Sequence, residues 1–436
     1  MTTSNYYVLD LETTVNNTSK FKKKCGLASP HYWNNRIVAT GILKGNSMED
    51  KWEGELPKLF HERNTICNML QNDNLIEVIY PWNEEEWFKE VAKSKIIVGH
   101  NIAFDILYIL KNETCNSRID ILREALMKEP VLLWDTMLVE HMLSGQQWKY
   151  PSLDDVSRHY GLEVKPTQVK ELWEAGVKTE DMDKDMLLKY LNHDVMVTDA
   201  IFKKQLDLVD RCDQKNIVFD ELRSRMATIM MEYNGTPFDE DLAKQYLVEI
   251  ETELSILREN FITRLQSINY NVNFTEEFKQ TINLSSPQQV SKMLFGGSID
   301  WTETVVDKDK NGKPIVYKSG IKKGLSKWKK VTNRTTLGRL FTPKAKWQTS
   351  KSGIYSTSDS IITEVLSQSN LWYTQEIIED IQEYRKLTKE SDTYLTGLLR
   401  VCWDGGLLHP TFNHVETPTG RLSCRNPNIQ NITAKR

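Results

Sequence analysis

The chain has 436 residues, 39% hydrophobic and 27% charged, with a formal net charge of −4. That composition suits a soluble protein of two or three domains, and it excludes a helical membrane protein, because no apolar run approaches bilayer length. Nor does the slightly acidic total announce nucleic-acid binding, so any such contact must come from local basic patches.

In chain order, "YYVLDLETT" (6–14) reads as a strand in which Asp10 and Glu12, two residues apart, point to one side of a sheet. Like charges so placed repel unless a cation sits between them; two ordinary surface acids on a fraying strand end are the plainer alternative. "RIVATGIL" and "KWEGEL" follow as strands and "NEEEWFKEVAKS" as a helix. A short buried strand, "KIIVG", then leads into the helix "IAFDILYILKN". Further helices fall in "WDTMLVEHMLSG", "SLDDVSRHYG" and "DKDMLLKYLNHDVMVTDAIFKKQL". Strands alternating with helices predict a helix-flanked sheet over residues 1–210.

From about 211 the apolar spacing becomes that of long helices, as in "DEDLAKQYLVEIETELSILRENFITRLQSI" and "LWYTQEIIEDIQEYRKLTKESDTYLTGLLRVC". Asp239 in "GTPFDEDL" and Ser286 with Pro287 in "SSPQQVSKMLF" mark helix starts. Between the two long helical segments, residues 310–351 contain no Asp or Glu, and "VVDKDKNGKPIVY" predicts a β-hairpin closed near Asn311-Gly312. This basic insertion, about 297–355, carries Lys322, Lys323, Lys329 and Lys330 together with Trp328, Phe341, Trp347 and Tyr355. It reads as a polyanion contact, with a hydrated surface insertion as the alternative. Six cysteines stand far apart without a Cys-x-x-Cys, and no basic-then-apolar leader opens the chain. Both suit a reducing, cytoplasmic compartment.

Two further acidic motifs follow the first. Asn101 and Asp105 are four apart in "VGHNIAFDILYIL", and Tyr190 and Asp194 are four apart in "LLKYLNHDVMVTDA". Each pair is expected on one helical face. Singly they are weak signals, since Asp105 also suits a first helical turn and Tyr190 with Asp194 a surface hydrogen bond. Together, a strand and two helices deliver four carboxylates, the hard oxygen donors that two-metal phosphodiester hydrolysis with Mg²⁺ or Mn²⁺ requires.

In "LDLET", "NIAFD" and "YLNHD" the chain resembles the DEDD superfamily of 3′→5′ exonucleases, in the subgroup with tyrosine in the third motif. The resemblance implies an RNase H-like α/β domain and two divalent ions. It implies that Asp10 bridges both ions, that Glu12 and Asp194 complete the tighter site, and that Asp105 holds the second. Tyr190 and Glu12 would orient the attacking water. A sister subgroup has a histidine base five residues before the last aspartate, but position 189 is Lys, and His193 points about 100° around the helix from Asp194. The loop 15–35 is longer than a minimal exonuclease needs. Its Lys20, Phe21, Lys22, Lys23 and Lys24 suit single-stranded substrate or merely solvent.

Near the end, "HVETPTGRLSCRNPNIQNI" resembles closely the entry to the palm of family A DNA polymerases, and "NLSSPQQVSKMLFGG" and "YRKLTKESDTYLTGLLR" resemble their thumb. That resemblance implies a mainly helical, DNA-binding thumb over 211–400 and the N-terminal fragment of a palm over 401–436. Arg421, Gln430 and Asn431 would then touch primer–template duplex, with Asn101 at the single-stranded 3′ end. No palm aspartates or fingers helix is evident. The expectation is therefore a proofreading exonuclease plus thumb of a phage-type, split polymerase, with a second polypeptide supplying palm and fingers, in host cytoplasm if phage-encoded. A catalytically silent DNA-clamping subunit and a free-standing RNA-trimming nuclease are the rival readings.

Overall fold

A computed structural model describes residues 6–15, 28–32, 34–52, 56–71, 74–78, 96–111, 123–127, 131–162, 167–367 and 372–432. Lys22, Lys23 and the helix expected over 83–94 lie outside the described residues. The chain divides into two compact units, residues 1–238 with 400–436, and residues 239–399.

Unit one is built on a mixed sheet of β1 (Tyr6–Thr13), β2 (Ile37–Trp52), β3 (Leu56–Gln71), β4 (Asn74–Val78), β5 (Ile96–Gly99) and β6 (Leu132–Asp135), ordered β4-β3-β2-β1-β5-β6. The β4-to-β1 pairs are antiparallel, whereas β1, β5 and β6 run parallel. Tyr7, Leu9 and Leu11 of β1 pack with Ile106 and Leu110 of α1 (Ala103–Lys111). Tyr6 and Val8 instead join Trp134, Val195 and Phe202. With both faces covered, the strand has to be apolar throughout. Asp10 and Glu12 share the parity of Tyr6 and Val8 and so break the pattern on one face only.

The helices of this unit continue with α2 (Thr136–Leu143), α3 (Leu153–His159), α4 (Gln168–Glu174), α5 (Lys184–Arg211) and α6 (Lys215–Asn234). Asp183 caps α5, its side chain accepting from Met186 N at 2.9 Å. The change of character expected near residue 210 falls within this unit, where α6 buries Leu222 and Ile229. The C-terminal stretch adds two short ribbons. One pairs β7 (Thr236–Pro237) with Leu407–Leu408 and the other pairs Thr411–Asn413 with Ser423–Arg425.

Unit two packs α7 (Glu240–Ile268), α8 (Glu276–Thr281), α9 (Pro287–Phe295), α10 (Asp359–Ser367) and α11 (Trp372–Lys389) around Phe261, Phe278, Phe295, Trp347, Ile377 and Ile381. The expected starts hold: Asp239 accepts from Leu242 N at 2.9 Å, and Ser286 caps α9 with Pro287 in its first turn. The hairpin differs in scale from expectation. Its main ladder joins β8 (Gly297–Val306) to β9 (Trp328–Leu337), from Gly297↔Leu337 to Val306↔Trp328. The turn at Asn311-Gly312 closes only a small bridge, Lys308↔Pro314, inside the connection. The long ladder was hidden because its strands are distant in sequence, with no turn signal directly between them.

Candidate active site

Asp10 and Glu12 reach the site from β1, while α5 brings Asp194 across from its buried face. Gly41 of β2 lets α5 close on the sheet, because a Cβ there would stand 2.9 Å from Leu191 Cγ and 3.0 Å from Val195 Cγ1. Carboxylate oxygens of Asp10, Glu12 and Asp194 consequently lie within 4.8 Å of one another. Asp105 arrives from the first turn of α1 and is 4% exposed. Pairing between β1 and β5 ends at Val8, and beyond it the Leu11 N–H donates to Asp105 Oδ1 at 3.0 Å. Burial first, then the Asp10 charge and more weakly that of Glu12, raise the Asp105 carboxyl well above the usual carboxylate range, against the lowering effect of the Leu11 bond. Three of the four acids expected from the sequence thus converge, and Asp105 interacts electrostatically with Asp10 and Glu12. Their hard oxygens and mutual repulsion fit a divalent-cation site.

Tyr190 lies one turn before Asp194 on α5, buried, its ring T-shaped against Trp173 at 5.6 Å. His193 Nδ1 stands 3.8 Å from Asp194 Oδ1, too far for a hydrogen bond, and neither ring nitrogen has a hydrogen-bond partner among the described residues. His100 is fully engaged elsewhere, with Nδ1 2.9 Å from Thr136 Oγ1 and Nε2 2.9 Å from Pro151 O.

Asn101 corrects one expectation. It precedes α1 in a left-handed turn (φ 58°) and so does not share a helical face with Asp105. Its N–H donates to Asp135 Oδ1 at 2.9 Å, and its Oδ1 accepts from Arg225 at 3.4 Å. Sequence reading missed the polar group around it. Asp135, wholly buried, caps α2 and pairs with Arg225 Nε at 3.3 Å. Arg225 also donates to Phe412 O at 3.3 Å, while Glu232 Oε1 accepts from Phe412 N at 2.7 Å. Burial pushes the Glu232 carboxyl up to about 7, despite the Phe412 bond and the nearby Arg225 charge. Arg225, Glu232 and Phe412 line a cavity of about 230 Å³ with Asn101, Phe104, His31 and His409, the two imidazoles stacking at 3.9 Å. The Ser/Thr/Asp/Asn preference at helix caps was the available signal for Asp135; Arg225 and Glu232 had none, lying on a helix without a marked motif.

The remaining sequence-predicted contacts are spread out. Arg421, Gln430 and Asn431 are exposed on the C-terminal stretch, and Lys322, Lys323, Lys329 and Lys330 are exposed in unit two. A larger cavity of about 800 Å³ in unit two is lined by hydroxyls, Lys351 and Arg385 and contains none of the four acids.

Comparison with known proteins bears on the last part of the chain first. Residues 327–436 match DNA polymerase family A. The matched segment includes "HVETPTGRLSCRNPNIQNI". DNA polymerase I of Bacillus subtilis is 24% identical over 302 residues, covering 69% of this chain and 27% of the relative. DNA polymerase I of Synechocystis is 25% identical over 378 residues, covering 82% and 32%. That of Aquifex aeolicus is 23% identical over 373 residues, covering 81% and 49%. The chain thus spans between about a quarter and a half of the length of these relatives. Among solved structures, the POL domain of Pol1 from M. smegmatis, in complex with DNA primer-template and dNTP, is similar at a TM-score of 0.54 and 14% identity. That match covers 99% of this chain and 53% of the other. The fold is therefore polymerase-like, mostly helical with a mixed sheet. The relatives named here are bacterial, and neither a phage affinity nor a second polypeptide draws support from them. Among the described residues no helix is long and apolar enough to cross a membrane.

Proposed function

We propose that this chain is part of a family A DNA polymerase acting in replication or repair, and that its first unit is a two-metal 3′→5′ exonuclease proofreading DNA 3′ ends. The observation that carries the reading is the convergence of Asp10, Glu12 and Asp194 within 4.8 Å, with Asp105 under the electrostatic influence of Asp10 and Glu12. Four crowded carboxylates cost stability without a cation, so their convergence fits an ion-binding role better than a packing role. Asp10, Glu12, Asp105 and Asp194 would hold two Mg²⁺ or Mn²⁺ ions. Bound there, such ions supply Lewis-acid stabilisation of the phosphodiester and lower the pKa of water.

The chain's own groups do the positioning. Tyr190, clamped by Trp173, and Glu12 would orient the attacking water, and Asn101 would hold the terminal nucleotide. A mispaired 3′ end unpairs at lower cost than a matched one, so it would enter the site more often. Arg421, Gln430 and Asn431 would contact primer–template duplex from the family A segment.

The test is release of single nucleotides from 5′-labelled single-stranded DNA. Asp10→Ala and Asp194→Ala are each expected to lower the rate by at least about 10³-fold with Mg²⁺ or Mn²⁺ present, leaving DNA binding in EDTA largely intact. Digestion by a purified Asp10→Ala/Asp194→Ala double variant would remove the assignment.

A further inference from the structure

Residues 167–190 fold back on themselves to make a wall beside Tyr190. Helix α4 ends in a tight reversal, with Gly176 N donating to Trp173 O at 3.0 Å and Val177 N to Leu172 O at 2.9 Å. Gly176 takes the left-handed conformation (φ 84°) that this reversal needs. A short 3₁₀ turn, Thr179–Asp181, then returns buried Thr179 to the helix, where its Oγ1 accepts from Trp173 Nε1 at 3.1 Å. That bond fixes the indole plane, and the indole meets the Tyr190 ring at a right angle (89°). Leu172, Val177, Met182 and Met186 complete the cluster around the two rings.

Elsewhere on its surface Tyr190 borders a cavity of about 250 Å³, together with Gln168, Asp183, Met186 and Lys189. A side chain in a close-packed interior is held in one rotamer by neighbours on every side. A phenol beside open space needs a rigid neighbour instead. The helix that carries it is seated separately, with Leu191 and Val195 lying against Gly41 of β2. Trp173 therefore bears on the direction of the Tyr190 side chain and not on the place of Asp194.

We propose that Trp173, anchored by Thr179, is a positioning residue of the nuclease centre, aiming the Tyr190 hydroxyl at the water it orients. This role rests on the reading of unit one as a two-metal nuclease, and adds to it a residue that acts only through Tyr190. An edge-to-face aromatic contact is directional, and the hydrogen bond to Thr179 removes the indole's own freedom to turn. Such control matters because a displacement of about 1 Å at a reacting centre costs on the order of 10²-fold in rate.

The experiment follows the full chain in two ways. Single-turnover release of nucleotides from 5′-labelled single-stranded DNA gives the rate and the half-saturating DNA and Mg²⁺ concentrations. Fluorine spectra of the chain carrying 3-fluorotyrosine report the ring itself and need no activity, with the Tyr190 signal assigned by its loss in Tyr190→Phe. Trp173→Ala is expected to lower the rate at saturating DNA by about 10–10²-fold, to leave both half-saturation values unchanged, and to shift and broaden the Tyr190 signal. Tyr190→Phe should lose a similar factor, and adding Trp173→Ala to it costs nothing further. Trp173→Phe, which keeps an aromatic ring against the phenol, recovers most of the rate. Thr179→Val loses about threefold, again only when Tyr190 is present, and carries the test should Trp173→Ala melt early. Losses that multiply, a raised Mg²⁺ requirement or an unmoved Tyr190 signal would make Trp173 an ordinary core residue and overturn the proposal. A parent chain that digests nothing, while Trp173→Ala still moves the Tyr190 signal, would sink the nuclease reading and support the hold of Trp173 on Tyr190.

Discussion

At the scale of single residues, Asp105 and Glu232 are carboxyls whose burial raises their proton affinity, for different ends. Asp105 is held against Asp10 and Glu12, and Asp105→Asn would keep the acceptor for the Leu11 N–H while removing one charge. In EDTA, at a pH high enough to ionise Asp105, that variant is expected to gain about 1–3 kcal/mol, read as a higher melting temperature. With Mg²⁺ it should lose about 10²–10³-fold in nuclease rate. Glu232 binds its proton more tightly folded than unfolded. The stability it contributes is present below the ordinary Glu value and is lost as pH rises through about 7. The full swing is about 3 kcal/mol. Glu232→Gln, which retains an acceptor for Phe412 N, should flatten this fall. Amide exchange at Phe412, compared between variant and parent from about pH 5 to 8, measures it; an unchanged pH dependence would show that Glu232 does not titrate there. The four acids proposed to hold metal were singled out because an Asp-x-Glu strand and two i, i+4 pairs have few other uses in combination. Asp135 offered only a helix-cap signal and Arg225 and Glu232 none, because buried polar contacts are a matter of tertiary placement and leave no local spacing.

At the scale of elements, β1 and α5 decide whether the acids meet. β1 could be read directly from its apolar run, and α5 from its 3.6-residue period. Their closeness could not, because it depends on Gly41 in β2, a residue with no chemistry of its own. Gly41→Ala should push Leu191 and the neighbouring Asp194 turn outward, costing about 1–3 kcal/mol in overpacking. Its nuclease rate should fall by more than its single-strand affinity does, since the displaced helix carries Asp194, a proposed metal ligand. Equal loss of both would mean the substitution unfolds the unit generally. Asn101 illustrates the opposite failure: four-residue spacing suggested a shared helical face, but a left-handed turn placed it before the helix and beside Arg225. The β8–β9 pairing was obscured for a related reason, since a local turn signal drew the hairpin inward to Asn311-Gly312.

At the scale of the molecule, two units with separate cores carry separate tasks in this account. Unit one holds both the acid cluster and a polar cavity, while unit two presents long helices and a lysine-rich ribbon. The net charge of −4 conceals that division, because acids dispersed elsewhere offset the basic run of residues 310–351. The C-terminal stretch, read from its sequence as a separate palm fragment, packs within unit one through Phe412 and the Arg225 and Glu232 contacts. The last part of the segment that matches DNA polymerase family A, residues 400–436, therefore belongs to the unit that holds the acid cluster. The measurement that bears most directly on the central claim is anomalous scattering from crystals of the chain soaked in Mn²⁺. Two peaks about 3.5–4 Å apart, touching Asp10, Glu12, Asp105 and Asp194, are the predicted result. Ordered crystals with the four carboxylates in place and no manganese peak among them would contradict it.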